Sequence, residues 1–112
     1  MKKITVLLLC GLAVSGCTTT RENYETGAAA LAGSKSLRNE VTQKCIAHAR
    51  YSNPHARHNA ALLMDVRDTE VDRLACSRMV SAVASGRLSY EEAAALHYGR
   101  LTPKIVKILQ GR

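Results

Sequence analysis

Beyond residue 36 the chain is cut into short pieces by its own start and stop signals, and that punctuation restricts the fold more than any other feature. Asn53-Pro54 and Thr102-Pro103 each set a capping side chain ahead of a proline. Proline lacks an N–H and its fixed φ suits the first helical position. Ser85-Gly86 and Gly99 supply residues that end helices in the left-handed conformation. Ser89 and Glu92 stand at capping-box spacing, with Leu88 ahead of them to staple onto Ala93, and Thr69-x-x-Asp72 is a similar start.

The pieces between these signals have helical periodicity. Leu37, Val41, Cys45 and His48 share a face over about Leu37 to Tyr51, with Ser36 as N-cap. Ala56, Ala60 and Leu63 line the next helix, and a break follows around Asp65–Asp68. Val71, Leu74, Ala75, Met79, Ala82 and Val83 form the best amphipathic stripe. Ile105, Val106, Ile108 and Leu109 make the last helix apolar. No repeat occurs and no strand-like alternation runs beyond a few residues. The expected class is all-α: a small bundle of four to five short helices over residues 37–112, preceded by a flexible tether.

The first residues carry a different kind of signal. Met1-Lys2-Lys3 is a short positive start, and Ile4 to Val14 is apolar apart from Thr5 and Gly11. That run is about half of what a membrane-spanning helix needs and fits a signal-peptide core. Val14-Ser15-Gly16-Cys17 follows and resembles the bacterial lipobox, an aliphatic residue and two small residues before a cysteine. The resemblance covers residues 1–17. It implies a lipoprotein precursor: diacylglyceryl transfer to the Cys17 thiol, cleavage after Gly16, and acylation of the new amino terminus. Residues 1–16 are then a signal peptide, and Cys10 leaves with them. Thr18 stands where an Asp would imply retention at the inner membrane, so the resemblance implies an outer-membrane anchor with the domain facing the periplasm. Residues 17–36 are expected to be the lipidated Cys and a flexible linker; Thr18 to Ser36, fully extended, would reach roughly 60 Å. The Ala28–Ala32 run within it is too short to be a stable helix alone.

A core without Trp or Phe, relying heavily on Ala, is marginal at this size and needs a covalent staple. Once Cys10 is cleaved and Cys17 acylated, Cys45 and Cys76 remain, and an even number of thiols in an oxidising compartment implies a disulfide between them. Loss of Lys2 and Lys3 takes the 16 basic residues to 14 against 9 acidic ones, a net of +5. The basic residues are scattered and form no run, as in ordinary solubilising charge.

Catalytic patterns are missing. Glu91 and Glu92 are adjacent and diverge on a helix, so they make no facing carboxylate pair. No nucleophile elbow, Walker loop or His-Glu-x-x-His occurs, and no enzyme and no cofactor are expected. His48 three residues after Cys45, and His55 with His58, imitate metal-ligand spacing. Against that set stand a bridged Cys45, the break at Asn53-Pro54 and the nearby Arg50 and Arg57. No metal is therefore expected, with His48, His55 and His58 standing as the alternative donors. His48 is expected to be partly buried beside the disulfide. Asp65, Asp68 and Asp72 descend one helical face without the spacing of a calcium loop. The helices flanking Ser85–Leu88 superficially resemble a helix-turn-helix, but an exported domain has no nucleic acid to meet. Ile105, Ile108 and Leu109, opposite Lys104 and Lys107, either complete the core or present a face to an anionic membrane or a partner groove.

The expected function is a non-catalytic, membrane-anchored envelope lipoprotein that binds or positions another envelope protein. In size, anchor, helical content and single disulfide it is similar to the small helical pilotins of secretion machinery, an architectural likeness that carries no binding residue across. The alternatives are a His-based metal-binding lipoprotein and a membrane-surface protein acting through its basic C-terminal helix.

Overall fold

Helices in this chain begin where a side chain can accept from the unpaired N–H groups of a first turn. Residues 19–112 are described by a computed structural model. It contains α1 (Arg21–Gly33), α2 (Lys35–Ala49), α3 (Pro54–Met64), a 3-10 turn (Asp68–Glu70), α4 (Val71–Ala84), α5 (Tyr90–His97) and α6 (Pro103–Leu109). Asn53 Oδ1 accepts from His55 N at 2.8 Å, and Thr102 Oγ1 accepts from Ile105 N at 3.2 Å. The Ser89 box is complete: its Oγ accepts from Glu92 N at 3.2 Å, while the Glu92 carboxylate accepts from Ser89 N at 2.9 Å. Gly86 and Gly99 adopt φ of 76° and 79°, the left-handed geometry that ends α4 and α5 without a Cβ clash. Among the described residues there is no strand, and no helix is long and apolar enough to cross a membrane.

The class is therefore all-α with one disulfide, but three local expectations are corrected. The linker assigned through Ser36 is a helix over most of its length. Thr20 caps α1, accepting from Asn23 N at 3.2 Å, and Ser34 rather than Ser36 caps α2, accepting from Leu37 N at 3.1 Å. Tyr24, Ala28 and Leu31 recur at helical spacing and are the residues of α1 withdrawn from solvent. Tertiary packing supplies what an isolated Ala run lacks. The second correction concerns Thr69-x-x-Asp72: Thr69 lies inside the 3-10 turn, α4 starts without a side-chain cap, and Asp72 is taken instead by Arg57, whose Nε and Nη2 donate to its two oxygens at 3.2 and 3.1 Å. In the third, α3 turns Ala61 and Met64 inward, leaving Ala56 exposed.

The helix α4 is the spine. It packs against α2 most extensively and also against α1, α6 and α3. Successive contacts fix the direction of its neighbours. Near its C-terminal end the Tyr24 hydroxyl donates to the Leu88 carbonyl at 2.7 Å. Ala32 and Arg38 stand beside Ser81 and Ala84, Cys45 is bonded to Cys76, and Arg57 ties the Ala49 carbonyl to Asp72 near the start of α4. Thus α1 and α2 run one after the other along α4, antiparallel to it. The turn of α2 into α3 lies at the opposite end of α4 from Tyr24.

Two small cores flank this spine. Ala82, Leu88, Ile105 and Ile108 form one, and Ala61, Met64 and Val71 the other, with Leu109 packed against both. Ile105 is fully enclosed. The apolar face of α6 therefore completes the core. Lys104 pairs with Glu92 at 3.2 Å. Neither core contains a residue of α2, which has no fully buried side chain at all.

Although α2 buries no side chain fully, a half-buried stripe through Val41, Cys45 and Ala49 packs along α4, and the Cys45–Cys76 bond, between cysteines 31 residues apart, crosslinks the two helices. The chain-entropy estimate for the loop so closed is ~3.5–4 kcal/mol. Reduction, or the Cys45→Ala/Cys76→Ala double variant, is expected to lower the thermal midpoint by on the order of 15–25 °C. Calorimetry of oxidised and reduced protein checks this; a shift of only a few degrees would place the stability elsewhere.

Candidate functional site

Tyrosine, with an apolar ring and a polar edge, suits boundaries between a dry and a wet medium. Three of the chain's four tyrosines, Tyr24, Tyr90 and Tyr98, line one cleft. Its remaining walls include Thr19, Ala94 and His97, and its volume is roughly 220 Å³. That is below the range of about 300–1,000 Å³ usual for small-molecule sites, so the cleft suits part of an amphiphile or an apolar–polar boundary better than a whole cofactor.

Local sequence builds the cleft from both sides. The Thr20 cap starts α1 so that Tyr24 falls one turn in, and the Ser89–Glu92 box starts α5 with Tyr90 as its first residue. The two rings meet edge to face with centroids 5.9 Å apart. His97 and Tyr98, at the far end of α5, make a similar contact at 5.3 Å. The Arg21 guanidinium sits 5.0 Å above the Tyr90 ring, a cation–π contact, and pairs with Glu91. The hydrogen bond from Arg21 holds the Glu91 carboxyl below the usual range, and reciprocally raises the guanidinium. Burial, with a smaller contribution from Glu92, pushes the Tyr24 phenol up, so Tyr24 keeps its proton and serves as the donor to Leu88. The backbone N–H of Ser89 holds Glu92 low, with help from the Ser89 hydroxyl and from Lys104.

The residues singled out from sequence fall elsewhere. Cys17 lies outside the described residues. Cys45 and Cys76 are joined, with Cα atoms 5.8 Å apart and Cys76 buried. His48 is exposed on α2, contrary to the expected partial burial, because the half-buried stripe of that helix runs through Val41, Cys45 and Ala49 and leaves His48 off it. His55 is exposed in the first turn of α3. His58 is exposed too, its Nδ1 2.9 Å from an Asp68 oxygen. Among the described residues no three of His, Cys, Asp or Glu are placed to hold one ion. Glu91 and Glu92 go to separate partners, Arg21 and Lys104.

The tyrosine cleft itself was not anticipated. Tyr24 falls in the expected linker because the Ala28–Ala32 run, weighed alone, leaves out its stripe with Ala28 and Leu31. Tyr90 opens α5 and Tyr98 follows its last residue, about two turns on, and both line the cleft; the partner from α1 was missing. No family model, curated protein or solved structure matches the chain.

Two outcomes check this end of the molecule. Tyr24→Phe keeps the ring and removes the bond to Leu88, and is expected to cost about 1 kcal/mol, with hydrogen exchange accelerated in α1 more than in α4. Glu70, Glu91 and Glu92 all have lowered carboxyls. Their stabilisation is fully present above the ordinary glutamate value of about 4.3 and is lost as pH falls through the lowered folded values. The thermal midpoint is thus expected to fall between about pH 5 and pH 3, and to fall less steeply in Glu92→Gln, which preserves the capping geometry; identical slopes would deny Glu92 that role.

Proposed function

We propose that the mature chain is a non-catalytic envelope lipoprotein, fixed to the outer membrane through acyl groups on Cys17 and acting by binding or positioning another envelope component. The observation that carries this reading is the Cys45–Cys76 bridge. The bond crosslinks α2, which has no fully buried side chain, to α4, and such bonds persist in oxidising compartments. The periplasm, to which the lipobox resemblance directs the chain, is one. The end of the spine remote from Tyr24 supports the second half of the proposal, since Tyr51 and Leu62 stand there 86% and 68% exposed. A neighbour in the envelope would meet that surface.

Of the rival readings, a membrane-lying α6 is the less favoured, because Ile105 and Ile108 of that helix are spent in the core.

Metabolic labelling with a fatty-acid probe, followed by intact-mass measurement, tests the anchor. The wild-type chain is expected to lose residues 1–16, to carry acyl mass on Cys17 and to fractionate with membranes; Cys17→Ser is expected to lose the label. Unlabelled wild-type protein that retains residues 1–16 would overturn the proposal.

A further inference from the structure

Cys17 and the first residue of α1 are separated only by Thr18, Thr19 and Thr20. Four Cα steps span at most about 14 Å. A lipidated Cys17 therefore gives the folded part almost no freedom to leave the bilayer, where a linker through Ser36 would have allowed several times that distance. The short connection also decides which end of the spine meets the lipid. It is the end bearing the start of α1, the start of α5 and the tyrosine cleft, and Thr19 is itself part of the cleft wall.

The chemistry of this end matches that position. Tyr98 on the cleft wall is 68% exposed and Leu101, three residues on in the sequence, is 49% exposed, so two large apolar side chains face solvent just past α5. Tyrosine rings favour the headgroup level of a bilayer; Tyr98 is the exposed ring of the three, while the Tyr24 hydroxyl is taken by the Leu88 carbonyl. Charge does not single the surface out. Arg21, Arg100 and Lys104 are offset by Glu22, Glu25, Glu91 and Glu92, and the closest of these are already paired as Arg21–Glu91 and Lys104–Glu92. The occupant is thus the glycerol and upper acyl region of a phospholipid bilayer, whatever its headgroup charge.

We infer that the Tyr24–Tyr90–Tyr98 cleft, with Leu101, is a bilayer-docking surface that seats the domain end-on beside its own lipid anchor and turns the α2–α3 end away from the membrane. This rests on lipidation of Cys17 as proposed above.

The chain has no tryptophan, so a single one reports without background. Tyr98→Trp and Tyr51→Trp replace exposed rings at opposite ends of the spine. Each full-length protein, processed in cells, is placed in phosphatidylcholine vesicles brominated at the upper acyl carbons. The tryptophan at 98 is expected to be blue-shifted and quenched at least about twofold, consistent with seating near the headgroup–acyl boundary, while that at 51 is unquenched. Replacing part of the lipid by phosphatidylglycerol is expected to change neither. Quenching at 98 no greater than at 51, in protein that floats with the vesicles and carries acyl mass on Cys17, overturns the docking and leaves the anchor standing. Quenching that appears only with phosphatidylglycerol overturns it in favour of charge attraction. Protein that lacks acyl mass and stays in the aqueous phase overturns anchor and docking together.

Discussion

The bond between Cys45 and Cys76 is the constraint on which the arrangement depends. Among the described helices, α4 alone is packed against α1, α2, α3 and α6 alike, yet its most extensive neighbour, α2, buries no side chain completely. The two apolar clusters lie elsewhere along the spine, built from Ala, Val, Leu, Ile and Met without a Phe or Trp. A core of that size contributes modestly against the entropy of ordering the chain. Covalent closure reduces the entropy of the unfolded chain instead, which lets the surface of α2 stay polar. Arg57, holding both the Ala49 carbonyl and Asp72, secures the same helix at its far end.

The antiparallel run of α1 and α2 along α4 gives the molecule two unlike ends. One collects three tyrosines, the Arg21–Glu91 pair and the start of the described chain. The other exposes Tyr51 and Leu62 beside the His58–Asp68 pair. The proposed anchorage near one end and engagement at the other would draw on this difference between the ends.

Much of the fold was legible in residues that act locally. Asn53-Pro54, Ser89 with Glu92, Thr102-Pro103, Gly86 and Gly99 each fulfil their roles because capping and left-handed geometry are decided within a few residues. The features missed depend on distant partners. α1 exists because Tyr24, Ala28 and Leu31 find α4 and α5, which no window on residues 18–36 reveals. Thr69 lost its capping role because the chain tightens into a 3-10 turn after Asp65, whose φ of 57° is a left-handed excursion tolerated by Asp. The disulfide was legible from cysteine arithmetic, whereas the tyrosine cleft was not, since it joins residues 24 and 90 across most of the domain.

The single residue Ser34 between α1 and α2 has a mechanical consequence. Arg38 donates across this joint to the carbonyls of Leu31 and Ala32, so pull applied at the amino terminus passes straight into a helix running beside the spine. Load would be resisted first at Tyr24 and then at Leu31, one contact after another, as when a strip is peeled. Peeling stops where the covalent bond begins, at Cys45. The stretch released by then spans 28 steps from Cys17 and, drawn out, covers on the order of 90 Å. If the chain is anchored at Cys17 as proposed, slack would be stored as helix and released under tension, with the crosslinked remainder still closed behind it.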